Sequence, residues 1–184
     1  MSKSVLDVLK YRRTIRNYDP DYEIPKEQLD EILNAAQISP TSKDLQEIDF
    51  IVLRNKDKLN EIEKIILSEF PEEAKKKFEE RRKIYGVKNT ITCDAPVLIL
   101  LIRNERKEKF VDVDGGIAAM SIIMAAQHFN LESMCLGVIT RFPKVEEMLG
   151  LEKNSLILGV AIGKMKGKPV LKEKKIKSKV SYID

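Results

Sequence analysis

A basic cluster stands close to the start of the chain, at Arg12-Arg13-Thr14-Ile15-Arg16. Arginine is permanently charged, and its planar guanidinium fork matches the oxygen atoms of a phosphate. Thr14 adds a neutral hydrogen-bond donor. The cluster indicates a binding site for a phosphorylated ligand. The alternative is a solvated turn whose arginines pair with surface carboxylates.

A second polar segment, residues 39–46, reads Ser-Pro-Thr-Ser-Lys-Asp-Leu-Gln. Helical spacing of Leu29, Ile32, Leu33 and Ala36 predicts a helix over residues 25–36 before it, and residues 50–53 read as a buried strand after it. Loops held by rigid elements often carry binding groups. This loop could hydrogen-bond a heterocycle or a polyol, or it could be an ordinary connector.

The remaining pattern predicts an α+β domain. A helix capped by Ser4 should bury Val5, Leu6 and Leu9, and another should begin at Asn55 or Asp57. Residues 71–85 form a charge-dense surface helix that could act as a lid. Strands are expected at residues 96–102, 134–139 and 156–162, with a short helix near 145–149.

The helix predicted over residues 111–128 is apolar on nearly all sides. Such a helix is buried in a large core or in an interface. One small domain has too little mass to cover it from every side, so the sequence implies a dimer.

In their order and spacing, these segments resemble the nitroreductase family of FMN-dependent oxidoreductases. Besides the 12–16 and 39–46 segments, residues 94–100 look like its central strand. Residues 125–137 look like its helix, turn and flavin-side strand. The resemblance covers nearly the whole chain. It implies a central, mostly antiparallel sheet flanked by helices, an intertwined homodimer, bound FMN, and NADH or NADPH as a transient reductant.

The resemblance also assigns the site. Arg16 would lie at the N1/C2 carbonyl end of the flavin ring, Arg12, Arg13 and Thr14 would hold the phosphate and ribityl chain, and the 39–46 loop would come from the second protomer. The strand at 134–137 would offer backbone N–H groups to the ring. The full set of cofactor-binding candidates is Arg12, Arg13, Thr14, Arg16, Pro40, Thr41, Ser42, Asp44, Gln46, Met134, Cys135, Leu136, Gly137, Lys172 and Lys174.

The chain departs from the family pattern at three places. Asp44 stands where asparagine is usual, Glu47-Ile48 replaces Pro-Trp, and Met134-Cys135 replaces Cys-Trp. A carboxylate cannot donate to a flavin carbonyl as an amide can, unless it is protonated. Asp44 could instead point at Arg16 or at the substrate.

Composition narrows the class of protein. The 184 residues suit a single domain (1–184), and the hydrophobic and charged fractions of 43% and 34% suit a globular protein. No membrane-spanning run, signal-peptide core, Rossmann fingerprint or P-loop is present. The cysteines and the single histidine have no metal-ligand spacing, and a cytoplasmic setting is the simplest interpretation.

The C-terminal arm, about residues 164–184, is strongly basic: residues 164–179 hold eight lysines and one glutamate. Residues 164–179 lack aromatic residues for stacking, and we expect no nucleic-acid or membrane partner. The leading hypothesis is an enzyme that transfers hydride from NADH or NADPH through FMN to a nitroaromatic, a quinone or a similar small acceptor. The alternatives are a flavin-consuming or dehalogenating relative, and a non-enzymatic binder that uses the basic arm.

Overall fold

The computed structural model describes residues 4–106, 109–168 and 174–183. The helices are α1 (Val5–Tyr11), α2 (Lys26–Gln37), α3 (Lys56–Glu69), α4 (Glu72–Tyr85), α5 (Val111–His128) and α6 (Pro143–Met148). The strands are β1 (Ile48–Leu53), β2 (Val97–Arg103), β3 (Glu132–Leu136) and β4 (Leu156–Gly163). None of the helices in this described part is both long and apolar enough to cross a membrane.

The four strands form one antiparallel sheet in the order β1-β2-β4-β3. The central strand β2 is buried almost throughout, as its apolar run predicts. The outer strand β1 was expected to be buried, and this is wrong: its residues are mostly half-buried. The reason is position, because β1 lies at one edge of the sheet and β3 lies at the other.

Alternate residues of β2 point to opposite faces of the sheet, which places helices on both sides. Leu98, Leu100 and Ile102 pack in one core with α3 and α6. Val97, Ile99 and Leu101 pack in the second core with α2 and α5. The result is a three-layer α+β fold, and the expected antiparallel sheet flanked by helices is confirmed.

Apolar residues remain exposed on α1 and α5. The first helix is capped by Ser4, as predicted, but it buries only Val8. Val5, Leu6 and Leu9 were expected to be buried; they are 66%, 64% and 37% exposed. Helical periodicity shows which residues share a face, but not whether the same chain covers that face. On α5, Val113 and Ile117 also face outward, at 60% and 36% exposed.

The charge-dense α4 buries no residue fully. It is nevertheless tied to the body of the molecule, because the Phe78 ring packs at 5.3 Å from Phe70, which in turn contacts Phe142 at 5.1 Å. Arg82 lies 3.5 Å from Glu63 of α3. The function of α4 as a lid stays a prediction.

Candidate functional site

The arginine segment (residues 12–16) runs from the end of α1 to the free edge of β3. The Ile15 N–H donates to the Ser133 carbonyl at 3.3 Å, and Thr14 forms a parallel bridge with Ser133. Ile15 is buried in the core. The structure therefore brings the arginine segment together with β3, two of the regions selected from the sequence.

Tyr18, which the sequence analysis did not select, anchors the segment from behind. It is 1% exposed, and its N–H donates to the Cys93 carbonyl at 3.0 Å. Burial raises the pKa of its hydroxyl well above the usual value, and that hydroxyl has no hydrogen-bond partner among the described residues. A Cβ atom at Gly163 would lie 3.2 Å from the Tyr18 ring and 2.5 Å from Pro96 Cδ. Glycine at 163 therefore allows Tyr18 to pack closely against β4.

The three arginines of the segment are not equivalent. Arg13 Nη1 donates to the carbonyls of Lys10 and Arg12, at 2.8 and 2.9 Å, and so caps the end of α1. Within the described residues, the guanidinium groups of Arg12 and Arg16 have no hydrogen bond or ion pair. Arg12 and Arg16 are the groups best able to take an external anion, and Arg13 is partly occupied.

One face of the strand β3 packs into the core, and the free edge of the strand pairs with the arginine segment. Met134 and Leu136 are buried, whereas Cys135 is exposed. Partial desolvation raises the pKa of the Cys135 thiol, and the nearby positive charge of Arg12 opposes this.

Just beyond this strand, the chain turns at Gly137. The strand predicted over 134–139 ends at Leu136, because residues 137–141 form a 3₁₀ turn. Apart from the two neighbouring residues, no described atom lies within 4 Å of the position that a Cβ atom at Gly137 would occupy. The described residues therefore leave open space beside Gly137, next to the end of β3.

The 39–46 loop is held by contacts with α5 and with the turn that follows β2. Ser39 Oγ lies 2.6 Å from Ser121 Oγ, and the Ser42 N–H donates to Asp114 Oδ2 at 2.7 Å. Arg106 Nη1 donates to the Leu45 carbonyl at 3.0 Å. The loop is thus fixed at both ends and in the middle.

Several of the polar side chains selected in this loop contact the loop itself. Thr41 Oγ1 accepts from the Gln46 N–H at 3.1 Å, and Asp44 Oδ1 accepts from Gln46 Nε2 at 3.2 Å. Thr41 and Gln46 also line a cavity of about 200 Å³ with Arg106. Pro40 is exposed and Ser42 half-exposed. Part of the hydrogen-bonding capacity of Thr41, Asp44 and Gln46 therefore serves to shape the loop.

The loop and the arginine segment lie at opposite corners of the sheet. Ser133 pairs with Ile162, which pairs with Val97 at the start of β2, whereas Ile48 pairs with Arg103 at the end of β2. With about 4.8 Å between strands and about 3.3 Å per residue, the two corners are roughly 24 Å apart. We call the arginine segment and the 39–46 loop the two half-sites. A single chain does not bring them together.

The C-terminal lysines are only partly described. Lys172 lies outside the described residues, and Lys174 is exposed. Residues 174–183 form neither helix nor strand, and their four large apolar side chains are highly exposed: Ile176, Val180, Tyr182 and Ile183. In the described ranges, no group of three or more His, Cys, Asp or Glu side chains could hold a metal ion.

The protein is a three-layer α+β domain with a basic segment at one edge of its sheet. Comparison with known proteins identifies its family. The nitroreductase family profile matches residues 9–164, and the chain belongs to this family. A Methanothermobacter thermautotrophicus protein, provisionally named an NADH dehydrogenase/NAD(P)H nitroreductase, is 33% identical over 145 residues. The match covers 77% of this chain and 65% of that relative.

Solved structures give the same fold. A nitroreductase with bound FMN from Bacteroides fragilis NCTC 9343 superposes with a TM-score of 0.82 at 22% identity, covering 100% of both chains. An FMN-dependent nitroreductase from Clostridium difficile R20291 is 28% identical with a TM-score of 0.68, covering 95% of this chain and 92% of that one. The family resemblance stated from the sequence is confirmed.

Proposed function

We propose that the protein is an FMN-dependent oxidoreductase that transfers hydride from NADH or NADPH, through FMN, to a nitroaromatic, a quinone or a similar small acceptor. The observation that carries this proposal is that the guanidinium groups of Arg12 and Arg16, at the β3 edge of a nitroreductase-family fold, have no hydrogen bond or ion pair among the described residues. The relatives named for FMN and for NAD(P)H support the same conclusion.

The residues present fit a phosphorylated, planar cofactor. Arg12 and Thr14 supply charged and neutral donors for the phosphate, and Arg13 adds those donors that its capping role leaves over. Arg16 lies further along the same segment, where its charge would face the N1/C2 carbonyl end of the ring. The open space at Gly137 leaves room for the ring beside the backbone of β3.

Bound FMN would supply the two-electron redox chemistry, so the protein needs no side-chain acid or base for hydride transfer. The part of the chain is to hold the ring and to set its electrostatic surroundings. A fixed guanidinium at the carbonyl end favours the negative charge that reduction brings to the ring. Arg16 is therefore the residue that we expect to tune the redox step.

We also propose that the functional unit is a homodimer in which the 39–46 loop of one protomer completes the site of the other. Three observations support this. The half-sites lie at opposite corners of the sheet in one chain, α5 exposes Val113 and Ile117, and α1 exposes Val5 and Leu6. Obligate interfaces are large and apolar, and these exposed side chains suit such an interface.

The basic arm begins on its own chain, where the Lys166 N–H donates to the Asn17 carbonyl, and its residues 174–183 would then lie on the partner. Its exposed apolar residues need a surface to cover them, and Lys174 would contribute positive charge near a phosphate. Lys172 keeps the same proposed role.

Mixed dimers would test the shared site. One tagged chain carries Arg12→Ala and Arg16→Ala, and a second, differently tagged chain carries the bulky change Ser42→Trp. In a purified mixed dimer, one site receives both lesions and the other receives neither. We expect about half of the wild-type FMN content in the mixed dimer and little in either variant homodimer. A mixed dimer with no more FMN than the homodimers would show that both half-sites act within one chain.

A further inference from the structure

We infer that Asp114 is a positioning residue for the 39–46 loop. Its carboxylate holds the 39–46 loop in the shape with which one protomer completes the FMN site of the other. This inference rests on the proposed function. It concerns a residue of α5 that is not expected to touch the cofactor.

The Asp114 carboxylate is buried and has a specific partner. Asp114 is 4% exposed, and its Oδ2 accepts a hydrogen bond from the Ser42 N–H at 2.7 Å. This distance is typical of a charge-assisted bond. The residue lies in the first turn of α5, where the helix dipole favours a negative charge. A buried charge is thus aimed at one backbone amide of the loop.

The loop needs such a contact because its backbone is strained next to Ser42. Lys43, Asp44 and Gln46 have φ angles of 53°, 54° and 49°, in the left-handed region that residues with a Cβ atom seldom adopt. Strained residues persist only where their surroundings hold them. The Asp114–Ser42 bond immediately precedes two of these residues.

Two further contacts with the rest of the chain hold the ends of the loop. Ser39 meets Ser121 at the start, and Arg106 donates to the carbonyls of Leu45 and Gln46 at the end. Without Asp114, the loop would keep the contacts at both ends and its internal hydrogen bonds, but it would lose the bond that joins Ser42 to α5. Ser42 and Asp44, the side chains expected to reach the partner's flavin, would then lose their orientation.

Asp112 offers a matched control. It lies in the same helical turn, but its side chain is 69% exposed and pairs with Arg103 at the surface. Asp112→Asn removes the same charge from the same helix end without touching the loop. A difference between the two variants therefore reports on the loop contact and not on the helix dipole.

The experiment compares Asp114→Asn and Asp112→Asn with the wild-type protein in two measurements. Amide hydrogen exchange on FMN-free protein should speed up within residues 41–46 for Asp114→Asn only. FMN titration should give a dissociation constant raised severalfold for Asp114→Asn, because the asparagine Oδ1 can still accept from the Ser42 N–H but lacks the negative charge that strengthens the bond. The constant should be unchanged for Asp112→Asn. At saturating FMN, the visible flavin spectrum of Asp114→Asn should still differ from that of the wild type. Loss of a residue that only stabilises the fold would leave this spectrum unchanged.

Each other outcome overturns the inference. Unchanged exchange would mean that the charge of Asp114 does not hold the loop. Faster exchange with wild-type FMN affinity and spectrum would mean that the loop is not part of the site. If the wild-type protein bound no FMN, this result would refute the proposed function itself. It would be known before any variant is made.

A second variant covers the case in which Asp114→Asn does not fold. Asp114→Glu keeps the charge but moves the oxygen atoms by one methylene group. It should give the same pattern of faster exchange and weaker FMN binding, to a smaller degree. Wild-type behaviour of folded Asp114→Glu in both measurements would then overturn the inference.

Discussion

Removing the Arg12 side chain should weaken FMN binding without weakening the fold. The Arg12 guanidinium has no hydrogen bond or ion pair within the described residues, so its removal breaks none among them. A charge-assisted hydrogen bond to phosphate is worth about 1.5–3 kcal/mol. Since about 1.4 kcal/mol is a factor of ten, Arg12→Ala should raise the FMN dissociation constant roughly 10- to 150-fold.

Arg13→Ala is the matched comparison, because its guanidinium is already used by the fold. Loss of the bonds to the Lys10 and Arg12 carbonyls should cost about 0.5–1.5 kcal/mol of folding stability. For a chain of this size, about 1 kcal/mol corresponds to roughly 2–4 °C in melting temperature. Arg13→Ala should therefore melt a few degrees lower, with a smaller loss of FMN affinity than Arg12→Ala.

Fluorescence titration with FMN and thermal melting of the FMN-free protein measure the two effects separately. The expected pattern is binding loss for Arg12→Ala and mainly stability loss for Arg13→Ala. Wild-type FMN affinity in a folded Arg12→Ala variant would remove Arg12 from the site. An equal loss of affinity in both variants would show that the capping contact does not distinguish the two arginines.

Further predictions concern the redox step, the anchor of the arginine segment and the exposed thiol. Arg16→Gln should lower the reduction potential of bound FMN by a few tens of millivolts, at about 30 mV per 1.4 kcal/mol for two electrons, and redox titration at saturating FMN measures this. Gly163→Ala should cost roughly 1–3 kcal/mol in denaturant unfolding, because its Cβ atom would meet Pro96 at 2.5 Å. Cys135 should react with a thiol reagent faster as pH rises, because its raised pKa keeps the thiol protonated near neutral pH, and bound FMN should slow the reaction. Cys93, whose pKa burial raises to about 12, should stay unmodified in the folded protein.

Each of these predictions has a contradicting result. An unchanged potential with weaker FMN binding would make Arg16 a phosphate ligand, and no change in either would make it a surface residue. Wild-type stability of Gly163→Ala would mean that β4 and Pro96 can separate without cost. Equal modification of Cys135 with and without FMN would place the flavin away from β3.

Much of the fold follows from the sequence because apolar periodicity is a local signal. The bounds of α5 match the predicted residues 111–128, and α4 ends at Tyr85, as expected from the pattern. The exposed face of α1 and the half-buried state of β1 were not predictable in the same way. Both depend on what packs against an element, and for α1 we propose that the missing surface belongs to a second copy.

The site was harder to predict than the fold. Residue type pointed to the arginine segment and to the 39–46 loop, but it could not show that Arg13 is partly used as a helix cap. Positive φ angles at Lys43, Asp44 and Gln46 carry no glycine signal in the sequence. The contact of Asp114 with the loop was not predicted from the sequence either. An acidic residue in a first helical turn is common, and Ser42, its partner, is distant in the chain.

The visible spectrum of the purified protein, recorded before and after addition of NADH or NADPH without oxygen, tests the central claim most directly. We expect a yellow protein whose flavin absorbance bleaches on addition of the nicotinamide and returns when a quinone or nitroaromatic acceptor is added. A colourless protein that takes up no FMN would contradict the proposed cofactor. A yellow protein that neither reduced nicotinamide can bleach would contradict the proposed reaction.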